Sequence, residues 1–168
     1  IDKCPHMSPE ALATLSEATA PPMKTIKVGE HQLGGETVLY RHEKTFVSKT
    51  LYSVRVCDGM EESEQQELLA AIPKIDYERI GERMYVEFVT VSHSAEKSVG
   101  DYAALVSKAK ELGRDLILDC TDVEAAKAGL EAASGSNVIL NGANESNYSE
   151  MSALAVSAGC VLGVRSAD

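Results

Sequence analysis

From Leu51 to the end of the chain, short apolar runs alternate with amphipathic helical patterns, and this alternation restricts the fold more than any other feature. Strands are predicted at 52–57, 84–91, 116–119, 138–140 and 161–164, with helices at 61–72, 99–112, 122–133 and 148–158. The strand runs are apolar without strict alternation, the pattern of parallel strands covered on both faces. The helix ends agree. Thr121-Asp-Val-Glu124 has the capping-box form, Asn147 with Glu150 resembles it, and Gly113 and Gly159 stand where a left-handed residue closes a helix. Strand centres fall roughly 20 to 35 residues apart, as βαβ units require.

Five βα units in succession fit either a doubly wound sheet or a (β/α)8 barrel. A doubly wound nucleotide binder carries a glycine-rich phosphate turn after its first strand, whereas this chain has Asp58-Gly-Met-Glu-Glu62 there. The barrel is therefore preferred. It needs eight units and about 250 residues, so 51–168 is read as the first five strands of a partial TIM barrel. Ahead of it, Thr25-Ile-Lys-Val28 and Glu36-Thr-Val-Leu-Tyr40 are expected to pair as a β-hairpin cap within 21–50, lying across the N-terminal ends of the strands. Residues 1–20 hold a short helix starting at Ser8-Pro9 and stopped by Pro21-Pro22.

Sixteen Lys and Arg against 26 Asp and Glu give a formal charge of −10, with no basic block to offset it. Nucleic acid and anionic membrane surfaces are thereby poor partners. No apolar run approaches the roughly 20 residues that span a bilayer, so a soluble, cytoplasmic protein is expected. Cys4, Cys57, Cys120 and Cys160 are scattered with no Cys-x-x-Cys, and read as reduced thiols.

Lys27-Val28 and the run Leu33-Gly-Gly-Glu-Thr-Val-Leu-Tyr-Arg-His-Glu-Lys-Thr-Phe46, with Cys4-Pro-His-Met-Ser-Pro-Glu-Ala11 and Ala20-Pro-Pro22, resemble the large (gamma) subunit of the corrinoid iron-sulfur protein of the carbon monoxide dehydrogenase/acetyl-CoA synthase system. The similarity continues more loosely through Asp76-Tyr-Glu-Arg-Ile-Gly81, Asp122-Val-Glu124 and Gly159-Cys160 to Asp168. It implies the tail of an iron-sulfur domain over 1–20 and the first portion of a barrel after it. It further implies a methyl carrier between a methyltetrahydropterin methyltransferase and acetyl-CoA synthase, paired with a small subunit. The family's corrinoid (cobalamin) and 4Fe-4S cluster follow for the full-length protein, with neither expected on this segment alone. By resemblance Cys4 is the last of four cluster-ligating cysteines; the plain reading is an exposed thiol.

A competing enzymatic reading is a pterin-binding methyltransferase-type barrel. Asp119 and Asn141 close the third and fourth barrel strands, and a carboxylate with an amide can read the donor and acceptor edge of a pterin. The plain reading makes Asp119 the start of a turn and Asn141-Gly142 a turn dipeptide. His93, flanked by Ser92 and Ser94, follows the second barrel strand, but spacing assigns it no partner. Arg41-His42-Glu43-Lys44 reads as a solvated turn, and the acidic run Glu61-Glu-Ser-Glu64 as a favourable first helical turn. No catalytic residue is assigned.

Overall fold

The computed structural model describes residues 25–38, 44–46 and 48–165. The chain divides into two compact units, residues 1–27 with 31–49 and residues 28–30 with 50–168. The helix expected near residue 8, Cys4 and Arg41-His42-Glu43 lie outside the described residues.

Short strands β1 (Ile26–Val28) and β2 (His31–Leu33) pair with each other, and β3 (Glu36–Val38) pairs antiparallel with β4 (Lys44–Phe46). The single hairpin expected between 25–28 and 36–40 is thus two hairpins. Gly29, at φ 57°, lets Gly29-Glu30 turn the chain at once, so His31–Leu33 meets β1 before residues 36–38 can.

Five strands form one parallel sheet: β5 (Ser53–Cys57), β8 (Phe88–Ser92), β9 (Asp115–Asp119), β10 (Val138–Ala143) and β11 (Val161–Val164). They lie side by side in chain order, as expected. The helices between them are α1 (Glu62–Ala71), α2 (Val99–Lys110), α3 (Val123–Ala132) and α4 (Tyr148–Ala158). Their caps follow the sequence only in part. Asp122 accepts the Ala125 N–H at 2.8 Å and Ser98 accepts that of Asp101 at 3.1 Å. Asn147 makes no such cap. Its buried side chain instead donates to the carbonyls of Thr121 (2.8 Å) and Gly142 (3.3 Å) and accepts from the Asn144 N–H at 2.7 Å, tying the loop after β9 to the loop after β10.

The run expected as one strand over 84–91 is divided. β6 (Asp76–Arg79) and β7 (Glu82–Tyr85) make an exposed antiparallel hairpin turned at Ile80-Gly81, and the sheet strand begins only at Phe88. Arg83 closes this hairpin with two bonds to the Asp76 carboxylate, at 2.7 and 2.5 Å. Glu87, buried at the break, accepts the Tyr52 N–H at 2.8 Å, so a contact 35 residues away sets where the strand starts.

One face of the sheet carries the core. Val56, Val89, Val91, Leu116, Leu118 and Leu140 are fully buried there against Tyr102, Leu105 and Val106 of α2, Ala125 and Ala126 of α3, and Met151 of α4. At roughly 25 cal/mol per Å2 of apolar surface, such burial is the main force holding helices to sheet. The opposite face bears Ser53, Arg55, Thr90, Ile117, Ile139 and Val161, exposed or half-buried, with Phe88 and Ser92 buried at its two ends. Helices therefore cover one side only. Among the described residues, no helix is long and apolar enough to cross a membrane.

Candidate functional site

Strand register places Cys57, Ser92, Asp119, Asn141 and Gly163 in one row across the C-terminal edge of the sheet. The lacing continues one residue further: Asp58 N–H donates to Ser92 O, His93 N–H to Asp119 O, Cys120 N–H to Asn141 O and Arg165 N–H to Ala143 O, at 2.7 to 3.1 Å. This edge is where α/β sheets place their ligands, because the strands end there while the loops to the following helices stay free to vary.

Asp119 and Asn141, singled out from sequence, do meet: the Asn141 amide donates to Asp119 Oδ1 at 2.9 Å. Three further groups, which sequence reasoning missed in this role, complete the cluster. The Ser92 hydroxyl donates to Asp119 Oδ2 at 3.0 Å and accepts from Arg55 Nε at 2.7 Å. Arg165 Nη2 donates to Asp119 Oδ1. Arg55 Nη2 stands 4.0 Å from Asp119 Oδ2. The arginines come from the two outer positions of the sheet, β5 and the residue after β11, and the carboxylate from the middle strand.

A second cluster lies beside it. His93 acquires the partner that spacing alone did not supply: its Nδ1 is 2.6 Å from Asp58 Oδ2, and Asp58 Oδ1 accepts the Ser94 N–H at 2.7 Å. Both side chains are nearly shut off from solvent. The imidazole also lies against the Tyr102 ring, centroids 5.0 Å apart. Asp58 further lines a groove of about 360 Å3 between α1 and α2, with Gln65, Lys97, Asp101 and Lys108. Its charges are mixed, and Lys108 pairs across it with Glu62 at 3.6 Å.

Cys57, Cys120 and Cys160 are free thiols. Burial pushes the Cys120 thiol up to about 11, with the neighbouring Asp119 and Asp122 charges adding to the rise and the Tyr102 hydroxyl opposing it. A thiol with a raised value is favoured neutral in the fold, so its stabilising share is complete below about pH 9 and lost as pH climbs through 11. Between pH 8 and pH 11 the wild type is expected to lose about 2 kcal/mol more stability than Cys120→Ala. An alkaline loss of the same size in both proteins would refute the assignment to this thiol.

Among the described residues, no group of three or more His, Cys, Asp or Glu is placed to hold a metal ion. The three described thiols thus do not fit a four-iron cluster, which needs four ligands.

Comparison with known proteins gives a consistent result. Residues 26–168 match the family model described as CO dehydrogenase/acetyl-CoA synthase delta subunit. The corrinoid/iron-sulfur protein large subunit of Moorella thermoacetica is 29% identical over 98% of this chain and 38% of its own length. The acetyl-CoA decarbonylase/synthase complex subunit gamma of Methanothermobacter thermautotrophicus is 32% identical over 96% of this chain and 36% of its own. A gamma 1 subunit from Methanosarcina thermophila is 34% identical over 86% and 32% respectively. The chain therefore spans less than two fifths of the length of these relatives.

Proposed function

The chain belongs to the CO dehydrogenase/acetyl-CoA synthase delta subunit family, and we propose that it supplies the barrel scaffold of a corrinoid/iron-sulfur methyl carrier rather than a catalytic centre of its own. The observation that carries this reading is similarity to corrinoid/iron-sulfur and gamma subunits along nearly the whole chain. The sheet supports it: five parallel strands in chain order with helices on one face suit consecutive units of a (β/α)8 barrel better than a doubly wound sheet, whose helices cover both faces. The second face, which no helix covers, would then turn inward, toward barrel strands supplied by the longer polypeptide.

On this reading the corrinoid sits outside residues 25–165, and Cys4 is one of four 4Fe-4S ligands. The carrier takes a methyl group from a methyltetrahydropterin methyltransferase and delivers it to acetyl-CoA synthase, and its barrel packs against a small subunit. The chain's own residues hold the sheet edge together: Asp58 orients His93, Asp119 gathers Ser92, Asn141 and Arg165, and Asn147 joins two loops.

The pterin-binding alternative gains one point from the structure, the approach of Asn141 to Asp119. It loses more, because both oxygens of that carboxylate already accept bonds from this chain's own donors, leaving little capacity to read a pterin edge. The carrier reading is tested on the full-length protein, purified anaerobically and analysed for cobalt and iron. About one cobalt and four iron per protein are expected, with neither retained on a segment trimmed to residues 25–168. Stoichiometric cobalt on the trimmed segment, or none on the full-length protein, would overturn it.

A further inference from the structure

Two guanidinium groups approach one carboxylate at the sheet's C-terminal edge, and one cation would have sufficed to balance it. Arg165 does so directly, through Nη2 on Asp119 Oδ1. Arg55 does not. Its Nε donates to the Ser92 hydroxyl at 2.7 Å, while its Nη2 stays 4.0 Å from the carboxylate, beyond hydrogen-bonding distance. Its fork is thus steered by a neutral hydroxyl, and the two guanidinium groups share the single Asp119 carboxylate.

We propose that Arg55 and Arg165 form a binding site for the oxyanion end of a small molecule, a carboxylate or a phosphate group. Planar guanidinium forks match two oxygens of such groups with parallel N–H bonds, a geometry that lysine lacks. The heads are open to a ligand: the side chains of Arg55 and Arg165 are 68% and 53% exposed, whereas Asp119 beneath them is 13% exposed. They are also held before any ligand arrives. Ser92, fully buried, fixes Arg55; Asp119, itself held by Asn141, fixes Arg165. Pre-positioned donors bind more tightly than mobile ones because less freedom is lost on binding. In a chain of net charge −10, this edge brings two guanidinium groups to one carboxylate.

The test is calorimetric titration of the full-length protein with inorganic phosphate and, separately, with acetate, at low ionic strength. Saturable one-to-one binding is expected, weakened about tenfold or more by Arg55→Gln and by Arg165→Gln. Lys97→Gln, in the α1–α2 groove, is expected to leave it unchanged. Arg55→Lys and Arg165→Lys keep the charge and lose the fork, so each is expected to bind more weakly than wild type even where the glutamine variant fails to fold. Phosphate the tighter ligand identifies a phosphate-bearing molecule; acetate the tighter, a carboxylic acid. Neither anion saturating, or both lysine variants binding like wild type, overturns the site. The result is read independently of cobalt content, and so stands apart from the carrier reading.

Discussion

Replacing Gly142 by alanine is expected to destabilise the fold by about 3–5 kcal/mol, more than any other single methyl group added to this sheet. Gly142 sits in β10 where the register with β11 slips between Asn141 and Ala143, and its φ of 119° lies outside the regions open to side-chain-bearing residues. A methyl placed there would come within 2.8 Å of the Cys120 carbonyl carbon, and nearer still to its oxygen. Those atoms are backbone, fixed by the bond from Cys120 N–H to Asn141 O, so no rotamer change relieves the contact. The strain falls on the residue next to Asn141, and the Asp119 cluster should loosen with it. Denaturant unfolding measures the effect directly. A change below about 1 kcal/mol would show that the irregularity in β10 relaxes at little cost.

The alternation of strands and helices was legible because it is written locally. Helix 148–158 and strand 161–164 were read with their observed ends, helped by Gly159, whose φ of 64° closes α4. What sequence left hidden was decided across the sheet. The run through Met84-Tyr85-Val86 is β-prone from end to end, and its division depends on Glu87 meeting Tyr52, a contact invisible to any local window. Asn147 had the residue type of a helix cap, yet its amide donates instead to the carbonyls of Thr121, after β9, and Gly142, in β10.

The candidate site divides the same way. Asp119 and Asn141 were found because each ends an apolar run at equivalent positions. Arg55 was passed over because it sits inside such a run, between Val54 and Val56, where period-2 alternation turns it to the face opposite the core. Aligning the five strand ends by register would have placed Cys57, Ser92, Asp119, Asn141 and Gly163 in one row before any side chain was seen, and put Asp58 next to His93.

That last neighbour relation underlies the second large effect: Asp58→Ala is expected to destabilise the fold by about 3–5 kcal/mol. Asp58 and His93 each follow the strand pair Cys57 and Ser92, so the β5–β8 ladder delivers them side by side. Asp58 is 3% exposed and accepts from both His93 Nδ1 and the Ser94 N–H. Truncation to alanine strands both donors away from water, at about 1–3 kcal/mol each. Asp58→Asn keeps the shape and one acceptor oxygen for Ser94, while its amide can donate to His93 Nδ1 once the ring proton moves to Nε2. A milder loss of about 1 kcal/mol is expected there. The pairwise part is isolated by a double-mutant cycle of Asp58→Ala with His93→Ala, for which a coupling of about 1–3 kcal/mol is expected. Additive losses would show that the 2.6 Å contact contributes nothing of its own, leaving the Ser94 bond as the reason Asp58 matters.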